Sequence, residues 1–258
     1  MPFVELGDLQ TCYEVSGAGR AALVLSNSLG TTFAMWDPQM ALLAQRFRVL
    51  RYDTRGHGRS SVTPGEYTIE QLGRDVVALL DALDLERVHF CGLSMGGMIG
   101  MWLGVHAPER IDHLVLCNTA ARIGTKESWN ARIATVRTEG MKAVAGGVME
   151  RWFTPKFREA CPQKVARARQ MLENSSPAGY AANCAAIRDM DQREEVGRIT
   201  APTLVICGTG DPVTPPSEAR FLVDRIRGAA AVELNAAHLS NVEQAEAFTD
   251  AVCSFLTR

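Results

Sequence analysis

The chain has 258 residues, a formal net charge of −2 and a sequence pI near 6.2, a length ordinary for a single α/β enzyme domain with a sizeable core. That balance leaves no basic footprint for nucleic acid, and no run of about 18 apolar residues is present to span a membrane. The opening Met1-Pro2-Phe3-Val4-Glu5 lacks the basic and apolar regions of a secretion signal, and seven scattered cysteines without a Cys-x-x-Cys pair suit a reduced, cytoplasmic compartment better than a disulfide framework.

Residues 2–7 and 9–16 read as two strands turned at Gly7-Asp8. Residues 21–26 form a third, buried strand that runs into the small, polar Asn27-Ser28-Leu29-Gly30-Thr31-Thr32, a loop suited to close approach of a ligand. Pro38 can open a short helix. Residues 48–53 make a fourth strand, left by the loop 54–60. Thr68 and Gln71 form a capping box for a helix whose apolar positions Leu72, Val76, Leu79, Leu80 and Leu83 keep the 3.6-residue period.

The fifth strand, 87–90, leads into Cys91-Gly92-Leu93-Ser94-Met95-Gly96-Gly97 and then an apolar helix over 98–103. A serine with glycines two before and two after, set between strand and helix, has the Gly-x-Ser-x-Gly spacing of a nucleophile elbow. The turn is too tight for Cβ atoms at the glycines and forces the serine into an unfavourable backbone conformation. Its hydroxyl is thereby lifted over the sheet edge, where the helix start also aims N–H groups.

A sixth strand spans 111–117. From 120 to 196 strand patterning disappears; this stretch, rich in Arg, Ala and Met, reads as helices inserted between two strands. Strands resume at 203–207 and 230–234, and a helix from about Val242 closes the chain. The expected architecture is a mostly parallel, eight-stranded α/β sheet with helices on both faces, a core of 1–119 and 197–258, and a helical cap of 120–196 inserted after strand 6. Such a cap lies over the carboxyl ends of the strands, where these sheets bind ligands.

A serine hydroxyl needs a base, and the base needs an orienting group. Asp211 follows the seventh strand, and His238 sits in the loop before the last helix. The order Ser94, Asp211, His238, each just beyond a strand, makes these three the candidate triad. Asn118, after the sixth strand, cannot hold a negative charge beside an imidazolium; Asp53 is expected to fix its own loop, and His57, which precedes the serine, to be structural. The oxyanion hole should use the backbone N–H groups of Met95 and Leu29. No metal-ligand histidine spacing and no phosphate-loop lysine occur, so neither a metal nor a cofactor is expected.

These residues resemble the α/β-hydrolase superfamily over essentially the whole chain, through Asp53-Thr54-Arg55-Gly56-His57-Gly58-Arg59-Ser60, the elbow, Gly208-Thr209-Gly210-Asp211 and Ala237-His238. Most relatives carry His-Gly where this chain has Asn27-Ser28. Ser26-Asn27-Ser28-Leu29-Gly30-Thr31 together with Gly92-Leu93-Ser94-Met95-Gly96-Gly97 is similar to the 3-oxoadipate enol-lactonase family of aromatic degradation. The resemblance implies a small lactone substrate bearing a free carboxylate, attacked by Ser94 with His238 as base and opening to an enol. Among nine arginines of the inserted block, Arg132 and Arg137, near Trp129, are the expected carboxylate ligands; Asn27 and Ser28 are expected at the substrate. A carboxylesterase, a cofactor-free haloperoxidase or perhydrolase, and a carbon–carbon bond hydrolase would share this triad. A binding protein on the same scaffold would not need it. The sequence specifies no oligomeric state.

Overall fold

The protein is described here by a computed structural model covering residues 2–257. Eight strands lie in the order β1-β2-β4-β3-β5-β6-β7-β8: β1 Phe3–Leu6, β2 Leu9–Ser16, β3 Ala22–Ser26, β4 Arg48–Tyr52, β5 Val88–Leu93, β6 Ile111–Cys117, β7 Thr203–Gly208 and β8 Ala230–Leu234. Only the β1/β2 and β2/β4 pairs are antiparallel; every later pairing is parallel. Gly7 makes the first turn with φ +67°, a conformation that costs glycine nothing. The eight-stranded, mostly parallel sheet read from the sequence is therefore the one found.

Strands β3, β5 and β7 are buried along their whole length, as parallel strands covered on both faces must be. The helices that cover them are α1 Asp37–Arg46, α2 Ile69–Ala82, α3 Met95–His106, α9 Pro216–Arg225, α10 Ser240–Glu243 and α11 Ala245–Leu256. Pro38 sits in the first turn of α1. Thr68 Oγ1 accepts the Gln71 N–H at 3.0 Å, the forward half of the capping box.

Two boundaries differ from expectation, each for a physical reason. The elbow strand runs three residues further, to Leu93, and α3 starts at Met95 instead of 98. Helix α3 is buried on almost every side, so it lacks the polar face that would mark its start. The closing helix is two pieces, broken at Gln244, whose N–H returns to Ser240 O at 2.9 Å.

Between β6 and a 3-10 turn at Val196–Arg198 come α4 Lys126–Glu139, α5 Met141–Trp152, α6 Pro155–Ala160, α7 Pro162–Glu173 and α8 Pro177–Asp189. Four of the five are opened by a side-chain cap or a first-turn proline, or both: Thr125 caps α4 in a full capping box with Ser128, Thr154 caps α6, and Ser176 caps α8. These helices pack on one another, α4 against α8 and α5 against α7. They also seat on the loops of the sheet. A Cβ at Gly30 would strike Leu172 and Tyr180, and one at Gly179 would strike the Gly56 backbone. No described helix is long and apolar enough to cross a membrane.

Candidate active site

Ser94 stands between β5 and α3 with φ +56° and ψ −114°, a strained combination for a residue with a side chain. Its backbone is clamped there from both ends. The Ser94 N–H donates to Cys117 O at 2.9 Å, and Ser94 O accepts from Met98 N–H at 3.0 Å and from Thr119 Oγ1 at 2.8 Å. The glycines make the clamp possible. A Cβ on Gly92 would overlap the Gly96 carbonyl, one on Gly96 would overlap the Ser26 carbonyl, and one on Gly97 would overlap Thr119.

Asp211 lies in the loop after β7 and receives five hydrogen bonds. Its Oδ2 accepts from His238 Nδ1 at 2.8 Å, Asn118 Nδ2 at 2.9 Å and Thr214 Oγ1 at 2.7 Å. Its Oδ1 accepts from the N–H groups of Val213 and Thr214 at 2.8 and 3.1 Å. Burial alone would raise this carboxyl's pKa. The His238 ring beside it and the donors His238, Asn118 and Thr214 outweigh that and hold it below the ordinary value. Asn118 is held in turn by Ser240 Oγ, which donates to its Oδ1 at 2.5 Å.

With Nδ1 committed to Asp211, the Nε2 of His238 remains for another partner. Ser94 and His238 line the same cavity. No hydrogen bond joins their side chains, and catalytic hydrogen bonds of this kind often tighten only in the reacting complex. The histidine loop is fastened to the inserted helices: Leu239 N–H donates to Trp152 O at 3.0 Å, and Glu243 accepts from Ala237 N–H at 3.0 Å and from Thr154 N–H at 3.2 Å.

Backbone donors near Ser94 can be sorted by elimination. Ser28 N–H goes to Met35 Sδ at 3.3 Å, Gly30 N–H to His57 Nε2 at 2.8 Å, and Gly96 N–H to Asn27 O at 3.0 Å. Among the described residues the N–H groups of Leu29 and Met95 have no such acceptor, which leaves the pair singled out from the sequence free to meet an oxyanion. His57 is buried, and burial pushes its pKa down to about 4. Asp53 accepts from Phe33 N–H and Arg59 N–H, both at 2.9 Å, and so ties two loops together.

The cavity has a volume of about 260 Å³. Ser28, Leu29, Trp129 and Arg132 line it, as do Met98, Val148, Trp152, Tyr180 and Ile187. Two expected substrate contacts are not at the cavity. Asn27 is buried and turned away: its Nδ2 donates to Tyr52 O at 2.7 Å and its Oδ1 accepts from Trp36 Nε1 at 3.0 Å. Arg137 lies on the outer surface, 3.9 Å from Glu66. Five residues along a helix turn the side chain by about 140°, so Arg132 and Arg137 cannot share a face, whereas Trp129 and Arg132 can. The Arg132 guanidinium indeed stacks over the Trp129 ring, 5.3 Å from its centroid.

The arginine missed is Arg151, in the last turn of α5, which lines the cavity beside Trp152. Nearness to Trp129 in the sequence pointed to α4; the Arg151-Trp152 pair was an equal signal. Asn118 and Thr214 were missed as partners of Asp211, although Asp-x-x-Thr is a recognisable side-chain turn. At the opposite end of the sheet His89, Asp112 and His113 come together, but Arg87 already pairs with Asp112 at 3.2 Å.

The α/β hydrolase fold family matches residues 21–245. 3-Oxoadipate enol-lactonase 2 of Acinetobacter baylyi is 43% identical, with 100% of this chain and 99% of that protein covered. 3-Oxoadipate enol-lactonase 1 of the same organism is 40% identical over 94% of this chain and 91% of its own. Among solved structures, the enol-lactonase of Burkholderia xenovorans LB400 superposes with a TM-score of 0.98 at 48% identity, each chain covered completely. The resemblance carried by the elbow and the loop after β3 is borne out, and the chain belongs to the α/β hydrolase fold family.

Proposed function

We propose that the protein is a serine hydrolase that opens 3-oxoadipate enol-lactone to 3-oxoadipate, a step in aromatic degradation carried out in the cytoplasm. The observation that carries this reading is one cavity in which Ser94 and His238 face a cationic wall; the kinship with enol-lactonases supports the choice of substrate. A cationic wall suits a lactone with a free carboxylate, and the modest volume suits a small ring. Seven free thiols, two of them 3.8 Å apart on β5 and β6, fit a reducing compartment.

In this reading Ser94 Oγ attacks the lactone carbonyl as its proton passes to His238 Nε2. Asp211 keeps the ring in the tautomer that bears a proton on Nδ1 and stabilises the imidazolium. The N–H groups of Leu29 and Met95 receive the oxyanion, which exists only along the reaction path; each such donor is worth about 10²–10³ in rate. The ring opens to an acyl-enzyme, His238 activates water, and the acid leaves as its enol becomes the ketone. Side chains and water suffice. Helices α4–α8 act as a cap that supplies Arg132 and closes the cavity.

The test is the ultraviolet loss of 3-oxoadipate enol-lactone with the wild-type protein, beside Ser94→Ala and a plain aryl ester. Fast loss that requires Ser94, with much slower ester hydrolysis, is the expected result. Brisk ester turnover with sluggish lactone loss would overturn the substrate while leaving a hydrolase.

A further inference from the structure

The cavity holds more positive charge than a monoanionic lactone needs. Arg132 and Arg151 both line it, half-buried, from consecutive helices. Burial, and then the nearby Arg132 charge, push the Arg151 pKa below its ordinary value. Neither guanidinium forms an ion pair with a carboxylate among the described residues, whereas other arginines of the same block do: Arg167 with Asp37, Arg169 with Glu173, Arg188 with Glu66 and Asp189, Arg193 with Asp191. Two like charges without a counter-ion, walled by Met98, Val148 and Ile187, are costly to keep together. They pay off only when two negative charges fill the site.

The lactone offers one negative charge, its carboxylate. The second arises in the reaction, on the ring oxygen. The two cations are also placed differently. Arg132 stacks on Trp129 in α4. Arg151 stands on the last turn of α5, whose Trp152 carbonyl holds Leu239 N–H at 3.0 Å, next to His238. A leaving oxygen has to lie within reach of His238, which returns a proton to the departing group.

We propose that Arg151 is a catalytic residue for the leaving group: Arg132 holds the substrate carboxylate, and Arg151 takes up the charge that forms on the ring oxygen. This rests on the enol-lactone reading above. Ser94 Oγ bonds to the carbonyl carbon and its proton moves to His238 Nε2. The tetrahedral adduct collapses by breaking the bond between that carbon and the ring oxygen, whose electron pair stays on oxygen as an enolate facing Arg151. His238 then gives its proton to the enolate. Nothing is oxidised or reduced. Because the charge is absent from the bound lactone, Arg151 acts on the transition state and Arg132 on binding.

The experiment compares Arg151→Gln, Arg151→Lys and Arg132→Gln with the wild type on the enol-lactone and on a series of aryl hemisuccinates of graded leaving-group acidity. Rates are normalised to the folded fraction of each variant, taken from its circular dichroism, so only folded enzyme counts, and single-turnover measurements isolate the acylation step. Arg151→Gln should lower kcat on the lactone by about 100-fold with KM changed less than about threefold, steepen the dependence of rate on leaving-group acidity, and be partly rescued by Arg151→Lys. Arg132→Gln should act chiefly on KM. A loss equal for all leaving groups, or confined to KM, would overturn the proposal while wild-type lactone turnover left the substrate reading intact. Wild-type enzyme inert to the lactone would sink both.

Discussion

Acid should destabilise this protein through His57, and the size of the effect can be worked from its surroundings. The ring is buried and its Nε2 accepts the Gly30 N–H at 2.8 Å, so the proton of the neutral ring sits on Nδ1, facing Arg55 O at 3.4 Å. A second proton on Nε2 would set one N–H against another and charge a group that has no carboxylate partner. Burial accordingly lowers the pKa from 6.5 to about 4. Between these values the unfolded chain binds a proton that the native protein refuses, so stability is full above the unfolded pKa and falls as pH drops toward the folded one.

At about 1.36 kcal/mol per tenfold change, the loss totals about 3 kcal/mol by the end of that window, and about 2 kcal/mol between pH 7.5 and pH 5. The comparison is with His57→Gln, whose amide oxygen can accept the same Gly30 N–H and cannot titrate. Urea unfolding followed by tryptophan fluorescence at both pH values gives the two stabilities. Wild type should lose about 2 kcal/mol more than the variant, because every other titrating group is common to both. Parallel losses, within about 0.5 kcal/mol, would show that His57 titrates alike in the folded and unfolded states and would refute the reasoning.

Ser94→Gly should be more stable than Ser94→Ala by about 1 kcal/mol, the reverse of the usual ranking, since only glycine relaxes at φ +56°; a thermal melt in which alanine ranks higher would remove the claim of strain. Asn118→Gly keeps a backbone with φ +43° but deletes one donor to Asp211, so kcat should fall about tenfold with KM unchanged; an unaltered kcat would make Asn118 a mere spacer. Arg137→Ala should change kcat/KM by less than about twofold, because its exposed side chain lies beside Glu66 at 3.9 Å and does not line the cavity, and a large rise in KM would return it to the substrate site.

The inner strands were legible as short runs rich in apolar residues and the first two by the Gly7-Asp8 turn that joins them, and the elbow because its glycines are required by contacts with Gly96, Ser26 and Thr119 backbone or side chain. The start of α3 was not, since a helix buried on all sides shows no period to read. The inserted block was legible as helical but not as a surface. Choosing Arg137 ignored the 100° step of its helix. Choosing Arg151 required knowing that Trp152 docks on Leu239, a contact between residues 87 positions apart.

The candidate triad was readable in chain order for a reason lodged in the sheet. From β5 to β8 the strands are neighbours in sequence order and all parallel, so the residues leaving their carboxyl ends fall in one row: Ser94, Asn118, Asp211, His238. Register sets the spacing along that row. Cys117 stands opposite Ile206, and Asn118 N–H donates to Ile206 O at 2.8 Å, which carries the Asn118 amide to the Asp211 carboxylate. Asn118 therefore occupies the place in the row between Ser94 and Asp211. A carboxylate there would put a second negative charge against Asp211; the amide instead donates to Asp211 and accepts from Ser240, just past His238. The residue excluded as an acid on sequence grounds is, by the same geometry, one that holds the Asp211 carboxylate in place.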